Sequence, residues 1–209
     1  MIRILTIDDH EVVREGIRGI FAETPGAAEF GEAQSGPEAL KAVRERDWDI
    51  AVLDISLGGR SGLEVLKELR EIRPRLPVLM LSMHAEEQYA VRAFKAGAAG
   101  YISKGSSRDE LRAAILKVIK GGRYISAALA EKIVIDLSTS DQPPHETLSD
   151  RELEVLCLIA SGKAVGEIAV ELSLSDKTIS TYRRRILDKM GMKSSAELTH
   201  YAIRNGLVE

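Results

Sequence analysis

The first part of the chain alternates short apolar runs with longer segments in which apolar residues recur at helical spacing. Uninterrupted apolar runs of this kind indicate strands that are buried on both faces of a sheet. The predicted strands are Ile2–Ile7, Glu29–Ala33, Ile50–Leu53, Val78–Leu81 and Gly100–Ile102. The predicted helices are Glu11–Phe21, Ser35–Arg46, Leu63–Ile72, Glu86–Ala96 and Ser107–Lys120. Five strand–helix repeats predict an α/β fold, a doubly wound five-stranded parallel sheet with helices on both faces.

The alternation ends at Gly121-Gly122, and a different pattern follows. Ala127–Leu137 predicts a linker helix, and the polar, proline-bearing residues 138–147 predict a tether. After the tether the periodicity is helical throughout, with predicted helices at Arg151–Ala160, Val165–Leu172, Asp176–Lys189 and Ala196–Asn205. We therefore predict an α/β domain at 1–122, a linker at 123–147 and an all-α four-helix domain at 148–209.

The composition argues against several classes of protein. A hydrophobic fraction of 44% with 29% charged residues is unlike that of a disordered chain. No apolar run approaches the roughly 20 residues that span a bilayer, and two acids follow the first strand too early for a signal peptide. Cys157 is the only cysteine, as is common in the reducing cytosol. We therefore expect a cytoplasmic protein that does not bind a membrane.

Acidic residues follow two of the predicted strands. Asp8 and Asp9 come after the first strand, and Asp54 comes after the third. Ligands of a doubly wound sheet gather at the carboxyl ends of its strands, so these carboxylates should lie together. Three neighbouring carboxylates repel one another unless a divalent cation neutralises them. Mg²⁺ is the expected cation, because it prefers oxygen ligands and also accepts phosphate oxygens.

A hydroxyl and an ammonium group complete this set. Ser82 ends the fourth strand, and Lys104 follows the fifth. A carboxylate nucleophile, a metal ion, a hydroxyl donor and an ammonium are the groups that phosphoryl transfer requires. A single aspartate at a strand end is usually a solvated loop residue, but the whole combination predicts that Asp54 accepts a phosphoryl group.

These residues resemble the receiver domain of bacterial response regulators, a flavodoxin-like fold, over residues 1–122. The matching segments are Thr6–His10, Leu53–Leu57, Ser82-Met83 and Tyr101–Lys104. The resemblance implies Asp54 as phosphoacceptor, Asp8, Asp9, Asp54 and the backbone carbonyl of Ser56 as metal ligands, and Ser82, Lys104 and Tyr101 as phosphoryl-stabilising and switch residues. Gly58-Gly59 stands where this family often has a proline, which predicts a looser loop.

A basic segment stands out in the last third of the chain, although the net charge of the whole chain is −3. Only Ser173–Ser175 separates the predicted helix Asp176–Lys189 from the helix before it. This is the arrangement of a helix-turn-helix, whose second helix enters the major groove of DNA. We predict base contacts from Ser180, Thr181 and Arg184, and phosphate contacts from Lys177, Arg183, Arg185 and Lys189.

Residues 148–209 resemble the LuxR-type domain of NarL/FixJ response regulators. The pattern lies in Leu148–Leu156, Glu167–Ala169, Lys177–Ile179 and Ile186–Met190. The resemblance supports the base-facing residues and implies dimerisation through the last helix, with Leu198, Tyr201 and Ala202 as contacts. The chain departs from this family at Val165-Gly166 and at Tyr182, where a histidine is common, so its DNA sequence cannot be borrowed from relatives.

Together the two resemblances predict a two-component response regulator that is not an enzyme. A sensor histidine kinase or a small phosphodonor would phosphorylate Asp54, and phosphorylation would favour a homodimer that binds duplex DNA and regulates transcription. RNA polymerase is a further candidate partner. Two alternatives stay open: a metal-dependent phosphatase that forms an aspartyl phosphate, and a phosphorylation-gated module whose C-terminal helices bind another protein. Haloacid dehalogenase-type phosphatases place Asp-x-Asp after the first strand, whereas the pair here is adjacent.

Overall fold

A computed structural model describes residues 1–21, 28–58, 60–82, 86–125 and 143–208, without the side chains of residues 86–88. The chain divides into two compact units, Met1–Ala130 and Glu131–Glu209. The predicted linker helix Ala127–Leu137 lies outside the described residues. Among the helices of the described ranges, none is both long and apolar enough to cross a bilayer.

The first unit is built on a parallel sheet. Its strands are β1 (Ile2–Ile7), β2 (Ala28–Ala33), β3 (Ile50–Asp54), β6 (Val78–Ser82) and β7 (Gly100–Ser103), and a short hairpin is formed by β4 (Ser56–Leu57) and β5 (Arg60–Ser61). Its helices are α1 (Glu11–Ile20), α2 (Gly36–Glu45), α3 (Gly62–Ile72), α4 (Glu86–Lys95) and α5 (Arg108–Ile119). The sheet has five strands in the order β2-β1-β3-β6-β7. The predicted doubly wound α/β fold is confirmed.

The strand order reverses between β1 and β3, because the chain adds β2 on one side of β1 and every later sheet strand on the other. Such a reversal leaves a crevice beyond the carboxyl ends of the two strands, where ligands of this fold class bind. All five residues of β3 and all five of β6 are buried, as their uninterrupted apolar sequences predict. Buried central strands therefore hold the carboxyl ends of β1 and β3 in fixed positions.

The hairpin β4–β5 is a feature that sequence periodicity does not reveal. Ser56 pairs with Ser61, and Leu57 pairs with Arg60, in antiparallel register. Two-residue strands are too short to show an alternation of apolar and polar positions. The hairpin begins two residues after Asp54, and its two strands flank the position where the sequence predicts a loose glycine loop.

The second unit is helical. It begins in the described residues with a 3-10 helix, Pro144–Thr147, and continues with α6 (Asp150–Ala160), α7 (Val165–Glu171), α8 (Asp176–Met190) and α9 (Ser195–Arg204). The four predicted helices are confirmed, whereas the end of the predicted tether is a 3-10 helix that contacts α8. Helix α6 is buried over Arg151–Ala160 and contacts the other three α-helices. It is therefore the central helix of this unit.

The structure corrects part of the predicted dimer surface on α9. The side chains of Leu198 and Ala202 are buried within the unit, on the side of α9 that packs against α6. Neither residue can contribute to an exposed dimer surface in this packing. The exposed side of α9 instead carries His200 and Ile203, and Ile203 is 53% exposed. Tyr201 is half-buried and shares a hydrogen bond of 2.8 Å with His145.

Candidate metal centre and nucleic-acid interface

The carboxyl ends of β1 and β3 bring together the acids that the sequence predicts at strand ends. One ligand atom from each of Asp8, Asp9, His10 and Asp54 can be chosen so that all four lie within 4.8 Å of one another. Asp8 is 1% exposed and Asp54 is 2% exposed, whereas Asp9 lies at the surface. The crevice is therefore an acid pocket, with two buried carboxylates and a third at its mouth.

Lys104 extends over this pocket from the loop after β7. Its ammonium nitrogen lies 2.8 Å from Asp54 Oδ2 and 2.8 Å from Asp8 Oδ2. The backbone N–H of Lys104 donates to the carbonyl of Ser82 at 2.7 Å, which fixes the loop against the end of β6. Charge-assisted bonds of this length are strong in a site that excludes water. The ammonium therefore bridges the two buried carboxylates.

The electrostatics of the pocket favour a further positive charge. Burial, with added repulsion from the charge of Asp8, raises the pKa of Asp54 to about 7, and Lys104 only partly opposes this. Burial alone would lower the pKa of Lys104, but attraction to Asp54 and hydrogen bonds to Asp54 and Asp8 raise it. One ammonium does not neutralise three carboxylates. The pocket therefore has the hard oxygen donors and the excess negative charge that suit a divalent cation.

Ser56, Ser82 and Tyr101 are the other residues that the sequence assigns to this pocket. A backbone hydrogen bond from Ser56 to the Asp54 carboxylate acts to lower the pKa of Asp54. Ser82 is buried at the end of β6, where it pairs with Ser103 of β7. The ring of Tyr101 is fully buried on β7, beside Met80 of β6. Their predicted roles in metal binding and switching stay predictions.

Two residues that the sequence analysis missed stabilise the acid pocket. The ring nitrogen Nδ1 of His10 lies 2.8 Å from Asp9 Oδ1 and 3.2 Å from Asp8 Oδ1. Arg14 is buried on α1, where it donates to the backbone carbonyl of Asp8 at 2.8 Å and to Glu32 at 3.1 Å. The position of His10 next to Asp9 in sequence was an available signal. No local pattern distinguishes Arg14 from an exposed helical arginine.

Gly62 is also required by the pocket, because α3 begins directly against the Asp54 backbone. The N–H of Gly62 donates to the carbonyl of Ile55 at 2.6 Å. A Cβ atom at position 62 would lie 2.0 Å from the carbonyl oxygen of Asp54, a distance that no packing tolerates. Because the obstacle is backbone rather than a flexible side chain, β3 or α3 would have to move.

Gly62→Ala is therefore expected to destabilise the first unit by about 1–3 kcal/mol or more, as overpacking does. Urea denaturation followed by the fluorescence of Trp48, the only tryptophan, would measure this change. Gly16→Ala on α1 is the matched control, because a Cβ there meets nothing within 4 Å. Alanine should stabilise that helix by about 0.5–1 kcal/mol. Equal stability of Gly62→Ala and the unmutated protein would contradict the expectation.

The second unit displays the predicted basic helix. Ile179, Ile186 and Met190 are the buried residues of α8. The residues predicted to contact DNA lie on the exposed surface of this helix. Apart from Lys189, none of them forms an ion pair with another described residue: Lys177, Ser180, Thr181, Arg183, Arg184 and Arg185. The turn before α8 is closed by a hydrogen bond from the N–H of Leu174 to the carbonyl of Ala169 at 2.8 Å. The apolar side of helix α8 therefore packs inside the second unit, and most of its basic side chains face solvent.

Lys189 differs from the other basic residues of α8. Its ammonium nitrogen lies 2.6 Å from Glu152 Oε2, and the carboxylate of Glu152 also accepts from the backbone N–H of Ser149. Glu152 is buried at the start of α6. Lys189 thus connects the end of α8 to the capped start of α6, a role that its spacing in sequence does not show.

Comparisons with known proteins match both domains. Residues 4–116 match the family described as response regulator receiver domain, and residues 146–202 match the family described as bacterial regulatory proteins, luxR family. The chain is 38% identical over 209 residues to the response regulator UvrY of Escherichia coli (strain K12), covering 99% of this chain and 96% of UvrY.

Solved structures give the same result. A LuxR-family two-component response regulator from Aurantimonas sp. SI85-9A1 is 36% identical, with a TM-score of 0.58, and covers 66% of this chain and 98% of its own. The response regulator RcsB in its complex with DNA is 25% identical, with a TM-score of 0.58, and covers 96% of each chain. The resemblance to NarL/FixJ regulators is confirmed: the chain belongs to the response regulators that join a receiver domain to a LuxR-type DNA-binding domain.

Proposed function

We propose that this protein is a phosphorylation-dependent regulator of transcription. Asp54 accepts a phosphoryl group from a sensor histidine kinase or a small phosphodonor, and the phosphorylated chain dimerises and binds duplex DNA. The observation that carries the proposal is the convergence of Asp8, Asp9, Asp54 and Lys104 at the strand-order reversal, together with an outward basic helix in the second unit. Helix α8 is the element that would read the DNA, and RNA polymerase would be a later partner.

The acid pocket fits Mg²⁺ as its cofactor. Asp8, Asp9 and Asp54 would hold the ion with the backbone carbonyl of Ser56, and the ion would neutralise phosphoryl oxygens. A carboxylate oxygen of Asp54 attacks phosphorus, the bond from phosphorus to the donor breaks, and the donor leaves with the electron pair. Lys104, already 2.8 Å from Asp54, is placed to pair with a phosphoryl oxygen. Ser82 would donate a hydrogen bond to another oxygen.

The switch is proposed to act through Ser82 and Tyr101. Both are buried on the neighbouring strands β6 and β7, and Tyr101 pairs with Met80, two residues before Ser82. Packed elements of this kind adopt discrete arrangements rather than a continuum. Dimerisation on the DNA would use the exposed side of α9, where Ile203 is accessible and Tyr201 is half-buried.

Selection of duplexes from a random pool tests the output directly. The protein treated with acetyl phosphate and Mg²⁺ should enrich duplexes with paired half-sites, because a symmetric dimer reads a symmetric site. The same protein without the phosphodonor should enrich them much less. Equal enrichment with and without the phosphodonor would contradict the proposed control by phosphorylation, and no enrichment in either condition would contradict the proposed DNA binding.

Arg184→Ala is expected to weaken binding to a selected duplex by about tenfold or more, because one good base contact contributes roughly 1–3 kcal/mol of discrimination. Fluorescence anisotropy at several salt concentrations would measure the change. The matched variant Arg183→Ala removes a predicted phosphate contact, so it should weaken all duplexes alike and make the salt dependence shallower. Unchanged affinity and specificity in Arg184→Ala would contradict the assignment of Arg184 as a base contact.

A further inference from the structure

A cavity of about 540 Å³ lies in the receiver domain, at the edge of the sheet opposite to the acid pocket. Its lining comes from the start of β1, from the segments that precede β3 and β6, and from α2 and α3. These segments enter the strands whose far ends carry the acids. Small-molecule sites commonly have volumes of about 300–1,000 Å³, so the cavity is large enough for a ligand.

The floor of the cavity is apolar and rigid. The indole of Trp48 and the side chain of Ile72 line it and are half-buried, and Pro74 lines it and is exposed. The indole nitrogen of Trp48 donates to the carbonyl of Ala42 at 3.1 Å, and the guanidinium of Arg46 lies 4.0 Å from the ring centroid. A hydrogen bond at the edge of the ring and a cation–π contact over one face fix the ring. The apolar surface open to a ligand therefore comes from Trp48, Ile72 and Pro74.

The rim of the cavity is basic, with four arginines. Three of them form ion pairs: Arg3 with Asp49 at 3.5 Å, Arg46 with Glu29 at 2.7 Å, and Arg73 with Asp47 at 3.3 Å. Arg75 has neither an ion pair nor a hydrogen bond to any other residue in the described ranges. Prolines at positions 74 and 77 stiffen the segment that carries it. The rim thus has one guanidinium, that of Arg75, with no carboxylate partner among the described residues.

We propose that this cavity binds a small organic carboxylate. The apolar body of the ligand packs on the floor formed by Trp48, Ile72 and Pro74, and its carboxylate pairs with Arg75. The planar fork of a guanidinium matches the two oxygens of a carboxylate. A single negative charge suits the rim, because the other three arginines already have carboxylate partners. None of these residues belongs to the acid pocket or to the basic helix, so the inference stands apart from the proposed function.

Trp48 provides a local readout, because it is the only tryptophan of the chain and lines the cavity. The full-length protein is titrated with 3-phenylpropionate while the fluorescence of Trp48 is excited at a wavelength that the phenyl ring does not absorb. The uncharged 3-phenylpropanol has the same apolar body, and inorganic phosphate has charge without that body. We expect a saturable change in fluorescence with 3-phenylpropionate and much weaker binding of the other two compounds.

Arg75→Ala is expected to weaken 3-phenylpropionate binding by about tenfold, the effect of losing one charge-assisted pair. Arg112→Ala, which removes an exposed arginine of α5 outside the cavity, is the control and should bind as the unmutated protein does. Isothermal titration calorimetry gives the same affinities without the tryptophan signal. The proposal is overturned by the absence of saturable binding, by equal affinities in the two variants, or by equally tight binding of 3-phenylpropanol or phosphate.

Discussion

Asp54→Asn is expected to abolish labelling of the protein by acetyl phosphate in the presence of Mg²⁺. The amide of asparagine is not a nucleophile at neutral pH, so the covalent step has no acceptor. The neighbouring carboxylates cannot substitute for it, because Asp8 is buried beneath Lys104 and Asp9 lies at the mouth of the pocket. Mass spectrometry of the intact protein under mild acid would show the added phosphoryl group, which should also be lost when a chelator removes the metal.

Asp109→Asn is the matched control, because Asp109 is an exposed aspartate in the first turn of α5. That variant should be labelled as the unmutated protein is. Labelling that persists in Asp54→Asn would show that another side chain is the acceptor. Loss of labelling in both variants would show instead that the substitution of an aspartate has a general effect on the receiver domain.

The same substitution has an expected effect on stability without metal. The pKa of Asp54 in the folded protein is about 7 against an ordinary value of 3.8, since burial and Asp8 disfavour its charge. Between these two pH values the folded state holds a proton that the unfolded state releases, so the contribution of Asp54 to stability falls as the pH rises through this window. The free energy of unfolding of Asp54→Asn does not decrease in this way. The stability of the variant relative to the unmutated protein should therefore increase from pH 4 toward pH 7, and this difference should become smaller when Mg²⁺ is added.

Glu154→Leu is expected to destabilise the second unit by roughly 3–5 kcal/mol, the effect of breaking a buried ion pair from one side. Arg151 Nη1 lies 2.5 Å from Glu154 Oε2, and the two side chains are 5% and 1% exposed. The other terminal nitrogen of Arg151 donates to the carbonyl of Leu172 at 3.0 Å, at the end of α7. Removal of the carboxylate leaves a guanidinium charge buried in α6 with its acidic partner gone.

A double variant separates the ion pair from the packing. Arg151→Met combined with Glu154→Leu replaces both charges by apolar groups, so it should recover most of the lost stability. The only tryptophan lies in the first unit, so its fluorescence does not report on the second. Thermal unfolding of the helical second unit is therefore followed by circular dichroism. Glu171→Gln is the control, since the pair of Glu171 with Lys163 is exposed and should contribute no more than about 1 kcal/mol. Equal losses in Glu154→Leu and Glu171→Gln would contradict the expectation.

Arg151 also bears on the position of the basic helix α8. By holding the carbonyl of Leu172, Arg151 fixes the end of α7 immediately before the turn that leads into α8. Lys189 fixes the other end of α8 through Glu152. The end of α7 before the turn and the far end of α8 are therefore both held to α6 by charged groups, while α8 buries apolar residues between them.

The sequence by itself determined the main strands and helices, the parallel sheet and most of the acid pocket. Apolar runs and helical spacing mark the strands and helices because burial of one face is a local, periodic requirement. Asp8, Asp54 and Lys104 could be predicted to meet because the carboxyl ends of parallel strands share one edge of the sheet. The basic surface of α8 was predictable for a similar reason, since the charges lie within one helix.

Only the tertiary structure decided which side chains are covered by distant parts of the chain. Arg14 and Arg151 look like exposed helical charges in sequence, yet each is buried against a carboxylate and a backbone carbonyl. Leu198 and Ala202 were expected on a dimer surface, yet α6 covers them. The required absence of a side chain at Gly62 depends on the backbone of β3. Burial of this kind depends on which elements pack together in space, and no periodicity within a single element records it.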